Sequence, residues 1–285
     1  MTLYIAAYDT ETAACLAAVR KIVKVHERFE IPGTFFIVAQ LLDAQQAEYV
    51  ALLKGHPLFE IASHSYTHMV LRDTPEFGQA GPVEQFPHEI VDSKKRIEDA
   101  FGCRALGFRA PVSFVDGLKT APEILRLVSE AGYGYVSSLA WGPSWSLPAL
   151  LVAPFTYAEQ GYPKIWEFPP CGWHENLLKG NNQCGPVRIL LFPPYMPQTI
   201  PDHYVRTPEE EFAVNNQPFI DKAVADGLPH VSLIWHPWSL DLFDPEMRMV
   251  EMTFRYVQDH GIRAGTFADL LGHMTRKQLL ASRKK

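Results

Sequence analysis

"LYIAAYDTET", residues 3–12, carries the chain's first strand and ends it in acids. Its first six residues form a short apolar run with a β-branched side chain and aromatics, the pattern of a buried strand. Two carboxylates one residue apart, Asp9 and Glu11, close it. One reading is local. Thr10 or Thr12 caps the helix that follows, and acids are stabilising in a first turn. The other is chemical, a strand end that delivers two acids to a shared face.

Working outward, strand-like and helix-like segments alternate along the whole chain. "AACLAAVRKIVKVHERF" has apolar residues at helical spacing, and "IPGTFFIV" reads as a strand introduced by Pro-Gly. "QAEYVALLKG" predicts a helix closed by a Gly C-cap, followed by the strand "LFEIASH". "EQFPHEIVDSKKRIEDAFG" and "APEILRLVSEAGY" are helical, with the strand-like "RALGFRAP" between them. "YGYVSSL" and "KIWEFPP" are short strands. "EEEFAVNNQPFIDKAVADG" is a helix interrupted at Pro218. "HVSLIWHP" is a buried strand, "PEMRMVEMTFRYVQDHG" the helix after it, and "RAGTFADLLGHM" completes the series. Repeated units of this kind predict parallel strands with right-handed crossovers. The choice lies between a closed barrel and an open doubly wound sheet. No G-x-G-x-x-G follows the first strand, which removes the main support for a dinucleotide-binding sheet. Residues 141–206 are rich in Pro, Gly, Trp and Asn and read as long loops over one face of a single domain, 1–285.

The chain's 285 residues suit one α/β barrel, and its 47% hydrophobic content supports a large core. A net charge of −6 argues against a nucleic-acid partner, and the C-terminal "RKK" reads as a solvated tail. "MTLYIAAYDTE" has no basic region of the secretory kind, and no run approaches the roughly 18 apolar residues of a membrane span. The expectation is a cytoplasmic protein. Cys15, Cys103, Cys171 and Cys184 form no C-x-x-C pair and read as thiols of a reducing compartment, although Cys171 and Cys184 flank one segment and could pair.

Polar residues gather at successive strand ends: Asp9 and Glu11, then His64 and His68, Arg109, Glu167 and His236. In a parallel α/β barrel these ends share one face, where active sites lie. "SHSYTH" places His64 and His68 at i and i+4, and on a helical turn both imidazoles could share a metal. Two histidines with a carboxylate suit Zn²⁺, Fe²⁺, Co²⁺ or Mn²⁺. Two acids then divide the labour, one on the metal and one as general base. Arg109 could hold the base ionised through a bidentate pair. His236 could protonate a leaving nitrogen or serve as a metal or core histidine.

The pieces "YDTE", "SHSYTH", "GFRAP", "IWEFPP" and "IWHPW", in this order over residues 8–238, resemble the polysaccharide deacetylase family, the NodB-homology or carbohydrate esterase family 4 proteins. "TFFIV" and "EAGYGYVSSL" resemble family segments too. The resemblance implies a distorted (β/α) barrel of seven parallel strands and metal-dependent hydrolysis of an N-acetyl or related amide. It implies His64 and His68 as metal ligands, His236 as general acid and Arg109 as the residue that orients the base. It also implies a backbone N–H near Val112 beside the oxyanion. Many members carry two adjacent acids in the first motif, whereas here Thr10 stands second. The D-x-E form with "HPW" resembles a branch that includes exopolysaccharide-associated deacetylases and allantoinase-like enzymes. On that likeness Asp9 is the base and Glu11 the third ligand.

The expected activity is deacetylation of an amino sugar or glycan with a divalent metal, Zn foremost and Co, Fe, Mn or Ni as alternatives. Trp166, Glu167, Trp238 and Val112 are expected at the substrate, with Glu167 a candidate to orient His236. Trp141, Trp145 and Trp173 add aromatics that could stack on a sugar. The partner is a small-molecule or oligosaccharide substrate, and a homo-oligomer is compatible with the apolar helices. The alternatives are a cyclic-amide hydrolase and a non-catalytic carbohydrate-binding barrel.

Overall fold

The computed structural model describes residues 1–74, 77–141, 151–170 and 207–282, together with Gly172 and the short strands at 190–191 and 198–199. The opening stretch folds as two strand segments, β1 (Leu3–Tyr4) and β2 (Ala6–Thr10). Then follow α1 (Cys15–Phe29), β3 (Gly33–Ile37), α2 (Leu41–Leu53), β4 (Phe59–Ser63), α3 (Ser93–Phe101), β5 (Gly107–Phe108), α4 (Pro122–Glu130) and β6 (Tyr135–Val136). β7 (Phe155–Tyr157) makes a hairpin with β8 (Tyr162–Glu167), and β9 (Leu190–Leu191) pairs with β10 (Gln198–Thr199). The C-terminal part contributes α5 (Pro208–Glu211), α6 (Gln217–Ala225), β11 (His230–Val231), β12 (Ile234–Trp235), α7 (Pro237–Phe243), α8 (Arg248–Asp259), β13 (Arg263–Ala264) and α9 (Phe267–Ser282).

Seven of these strands run parallel in one sheet, in the order β12, β2, β3, β4, β5, β6, β8, with β7 antiparallel at the edge. This is the expected α/β arrangement. The two ends of the sheet approach each other through backbone just past β8. His230 Nε2 bonds the carbonyl of Pro169 at 3.0 Å, and Ile234 N–H donates to Gly172 O at 2.6 Å. β1 pairs on both sides at the lower rim, with β11 and β13.

Strand alternation sorts the side chains. Ala6 and Tyr8 of β2, Phe35 and Ile37 of β3, and Ile61 of β4 pack outward against α1, α2 and α8. Ile5, Ala7, Phe36 and Ala62 point inward and pack with Tyr135, Trp166, Phe168 and Phe267 into a floor beneath the upper end. Gly107 is needed where it stands, because a Cβ there would meet the Tyr135 ring at 2.0 Å. The same parity that sends Ala7 and Phe36 inward sends Asp9 inward one layer higher.

The helices deviate locally from expectation. α2 begins at Leu41, earlier than its apolar spacing suggested. The helix expected over "EQFPHEIVDSKKRIEDAFG" contains a π-helical turn at His88–Asp92 before α3. Pro218 sits in the first turn of α6, where its missing N–H costs nothing, and the irregularity before it is a π turn at Phe212–Asn216. Cys15 and Cys103 are free thiols, whereas Cys171 and Cys184 lie outside the described residues, as does most of the segment expected to form long loops.

Candidate active site

Asp9 enters from the end of β2, almost fully buried, and its Oδ1 accepts a hydrogen bond from Arg109 Nη1 at 2.6 Å. Arg109 follows β5 and has no exposed surface; its guanidinium lies over the Phe36 ring at 3.9 Å. The expected bidentate pair does not form. The other fork nitrogen, Nη2, donates to Ser137 Oγ at 2.9 Å, so one guanidinium ties β2 to the end of β6. A buried cation needs such partners, since leaving one uncompensated costs roughly 3–5 kcal/mol.

His64 follows β4. Its Nδ1 lies 2.9 Å from the carbonyl of Arg109. A carbonyl only accepts, so Nδ1 carries the hydrogen and Nε2 of the neutral ring keeps its lone pair. That Nε2 is 3.5 Å from Glu11 Oε1 and 3.7 Å from Asp9 Oδ2. His68 Nε2 lies 3.2 Å from Glu11 Oε1, and His236 Nε2 lies 3.6 Å from it. Glu11 Oε1 is therefore the point on which three imidazole nitrogens converge. Glu11, His64 and His68 can share an ion, as can Asp9, Glu11 and His236. The buried Nε2 atoms of His64 and His68 have no hydrogen-bond partner among the described residues. Burial pushes the Glu11 carboxyl up, but the His236 and His68 charges, with the His64 and His68 rings close beside it, outweigh it. The carboxyl is held well below the ordinary range.

The two histidines do not share a helical turn. Residues 64–70 form a tight loop in which Ser65 and His68 take φ of 64° and 65°. Ser65 Oγ accepts the His68 N–H at 3.0 Å, and the imidazole centroids come to 4.9 Å. Glu89 clamps this loop from the π turn. Its Oε2 accepts from Tyr66 N at 3.0 Å and Thr67 N at 2.9 Å, and its Oε1 accepts from Thr67 Oγ1 at 2.6 Å. Sequence reasoning missed Glu89 and Ser137. A polar residue on a helix or at a strand end carries no mark of such a partner until the fold supplies it.

His236 caps α7, and Trp238 in its first turn donates Nε1–H to Glu11 Oε2 at 2.9 Å. Val112 has φ of 63°, a left-handed conformation rare for a β-branched residue. Its carbonyl accepts from the Trp141 indole. Its N–H has no hydrogen-bond partner among the described residues.

Two expected substrate residues stand elsewhere. Trp166 points inward but belongs to the floor, with its ring stacked 6.0 Å from Phe168. Glu167, the next residue, points to the opposite side of the sheet. It accepts from Ser138 N, Leu139 N, Ser138 Oγ and Tyr157 OH, and its burial pushes the carboxyl up. Facing outward and saturated by these donors, it is in no position to orient His236. Trp145 and Trp173 lie outside the described residues.

The model of the polysaccharide deacetylase family matches residues 8–136. No curated protein sequence matches the chain. Among solved structures, a Mycobacterium smegmatis protein assigned to the polysaccharide deacetylases superimposes with a TM-score of 0.64 at 14% identity, covering 97% of this chain and 92% of its own. The allantoinase Puue gives 0.62 at 15% identity, with 95% and 89% covered. A carbohydrate esterase family 4 pseudoenzyme from Bacillus anthracis gives 0.54 at 11% identity, with 94% and 66% covered. At these identities the likeness is one of fold, and it agrees with the segment match: residues 8–136 belong to the polysaccharide deacetylase family, and the chain has that family's fold.

Proposed function

We propose that the chain is a metal-dependent hydrolase that removes an N-acetyl or related acyl group from an amino sugar or glycan. The observation that carries this reading is the convergence of the His64, His68 and His236 Nε2 atoms on Glu11 Oε1, the first two being buried with no hydrogen-bond partner among the described residues. Two imidazoles and a carboxylate fit a first-row divalent ion, Zn²⁺ foremost with Co, Fe, Mn or Ni as alternatives, and Glu11, His64 and His68 would hold it. Bound there, such an ion polarises an amide carbonyl and makes water nucleophilic at neutral pH.

The chain's own residues supply the proton transfers. Asp9, oriented by Arg109, accepts the proton of the attacking water as the acyl carbon becomes tetrahedral. His236 gives a proton to the nitrogen as the carbon–nitrogen bond breaks, so the products are a free amine and a carboxylate. The Val112 N–H supports the developing oxyanion, a contribution such donors make in a water-poor site. The strained loop conformations at Ser65, His68 and Val112 support a site held in shape for this purpose.

The test is the metal content of protein purified without added metal, beside His68→Ala and Asp9→Asn. About one equivalent in the wild type, lost in His68→Ala, with acetate released from N-acetylated sugars, supports the reading. Asp9→Asn should keep the metal and lose activity by roughly 10²–10⁴-fold. Absence of metal even after soaking with Zn²⁺ or Co²⁺ rejects the mechanism and favours metal-free opening of a cyclic amide.

A further inference from the structure

Glu11 is an awkward ligand. It lies past the last residue of β2, outside the sheet ladder, and has one more rotatable bond than an aspartate. Left to itself, such a side chain would sample several rotamers at an entropic cost to ligation. Its two oxygens nevertheless have separate surroundings. Oε1 faces the nitrogens of His64, His68 and His236 at 3.2–3.6 Å, while Oε2 accepts the Trp238 indole N–H at 2.9 Å. An indole nitrogen only donates and cannot itself ligate. Its position is fixed by chain geometry. Pro237 opens α7, His236 caps it, and Trp238 occupies the first turn with its ring 6.5 Å from the His236 ring.

We propose that Trp238 is a positioning residue that fixes Glu11 as a one-oxygen ligand and thereby sets both the affinity and the selectivity of the metal site. The proposal rests on the metal-dependent reading above. It reassigns Trp238 from a sugar-stacking residue to a partner of a ligand, and it links the "YDTE" and "HPW" segments, which are 227 positions apart at this contact. With Oε2 engaged, the carboxylate offers a single oxygen, which suits a tetrahedral ion such as Zn²⁺. Freed, it could chelate through both oxygens, as larger oxygen-seeking ions prefer. Partners of this kind commonly carry 10–100-fold in metal affinity.

The experiment measures Zn²⁺ and Mn²⁺ dissociation constants by chelator competition, for wild type, Trp238→Phe, Glu11→Ala and the double variant. Phenylalanine keeps an aromatic ring and removes the N–H. The expected result is Zn²⁺ binding weakened roughly 10-fold or more in Trp238→Phe, with Mn²⁺ weakened less. In the Glu11→Ala background the same substitution should change nothing further, because the two act as one unit. Unchanged Zn²⁺ affinity with a raised KM would overturn the proposal and restore a stacking role. An equal loss in the Glu11→Ala background would overturn it as a general packing effect. Should Trp238→Phe fail to fold, the Trp238 indole N–H signal decides by ¹⁵N NMR. Slow solvent exchange in the wild type, lost in Glu11→Ala, supports the bond; equal exchange in both overturns it. A wild type that binds no Zn²⁺ overturns the metal reading and this inference together, whereas tight wild-type binding matched by Trp238→Phe overturns this inference alone.

Discussion

At the lower end of the strands, Glu60 accepts three hydrogen bonds, from Thr34 Oγ1, Tyr135 OH and Ala268 N–H, each 2.8 Å long. Around it Phe36, Tyr135, Phe168 and Phe267 pack ring against ring. At the upper end, His64 and His68 each bury an Nε2 with no hydrogen-bond partner among the described residues, and Ser65, His68, Val112 and Ser113 adopt positive φ. At the lower end Glu60 is saturated with donors and aromatic rings fill the space around it. The upper end leaves those ring nitrogens facing one another without hydrogen-bond partners and holds backbone in conformations that cost about 1–3 kcal/mol each. The difference separates a foundation from a working surface, and Arg109, above the Phe36 ring and bonded to Asp9, joins the two.

That separation can be broken by a pair of substitutions. Phe168→Ala removes a fully buried ring from the floor and should cost roughly 3–5 kcal/mol in denaturant unfolding, with kcat/KM of the folded fraction changed only a few-fold. His68→Ala should abolish metal binding and turnover yet shift metal-free stability by less than about 1 kcal/mol, since it deletes a nitrogen that has no hydrogen-bond partner among the described residues. If His68→Ala unfolds the metal-free protein, or Phe168→Ala removes turnover without loss of stability, the two ends are not separate in this sense.

The pH dependence sharpens the comparison. Burial pushes the Glu60 carboxyl up to about 7 against the opposing pull of its hydrogen bonds. A raised carboxyl contributes stability that is complete below its unfolded value near 4.5 and is lost as pH rises through about 7. The span corresponds to about 3 kcal/mol. His26 and His230 act in the opposite sense. Burial pushes both down to about 4, so their stability is present above about 6.5 and is lost as pH falls. The net profile mixes the two signs, and the difference between wild type and Glu60→Gln isolates one of them. Glu60→Gln should be relatively more stable at pH 8 than at pH 5, read as unfolding midpoints at each pH. A difference that does not change with pH would show that Glu60 stays ionised in the folded protein.

Much of the upper end was legible because strand alternation is legible. Asp9, Arg109 and His236 follow apolar runs whose parity points them inward, and the resemblance of their motifs named their neighbours. Glu167 shows the limit. It and Trp166 both close the run "KIWE", and nothing in that run says which of them faces the interior floor. Register with β6, Val136 against Glu167, sends Trp166 inward to the floor and Glu167 outward to Tyr157. The spacing of His64 and His68 suggested a helical turn, but a loop with two left-handed residues achieves the same convergence. Glu89 left no sign at all. An acid on a helix ordinarily meets water, and only the π turn at 88–92 brings this one beneath the histidine loop.

Glu89 therefore supplies the smallest effect and a fine test of how the upper end is held. Its carboxylate collects two backbone N–H groups on Oε2 and one hydroxyl on Oε1. In Glu89→Gln the amide oxygen can keep the Tyr66 and Thr67 N–H bonds. The amide nitrogen would face Thr67 Oγ1, which can turn from donor to acceptor. The number of bonds is preserved and only the charge assistance is lost. Hydrogen bonds to charged groups exceed neutral ones by about 1 kcal/mol, so the loop should loosen by that order, giving roughly 5-fold weaker Zn²⁺ binding. Glu89→Ala removes all three bonds, leaves two backbone donors near an apolar hole and should cost clearly more. Chelator competition on the two variants orders these expectations. Equal, wild-type affinities in both would mean that the positive-φ residues and Ser65 alone shape the loop. A Glu89→Gln loss as large as that of Glu89→Ala would mean that the negative charge acts on the histidines directly, and the upper end would then be held by electrostatics more than by its hydrogen bonds.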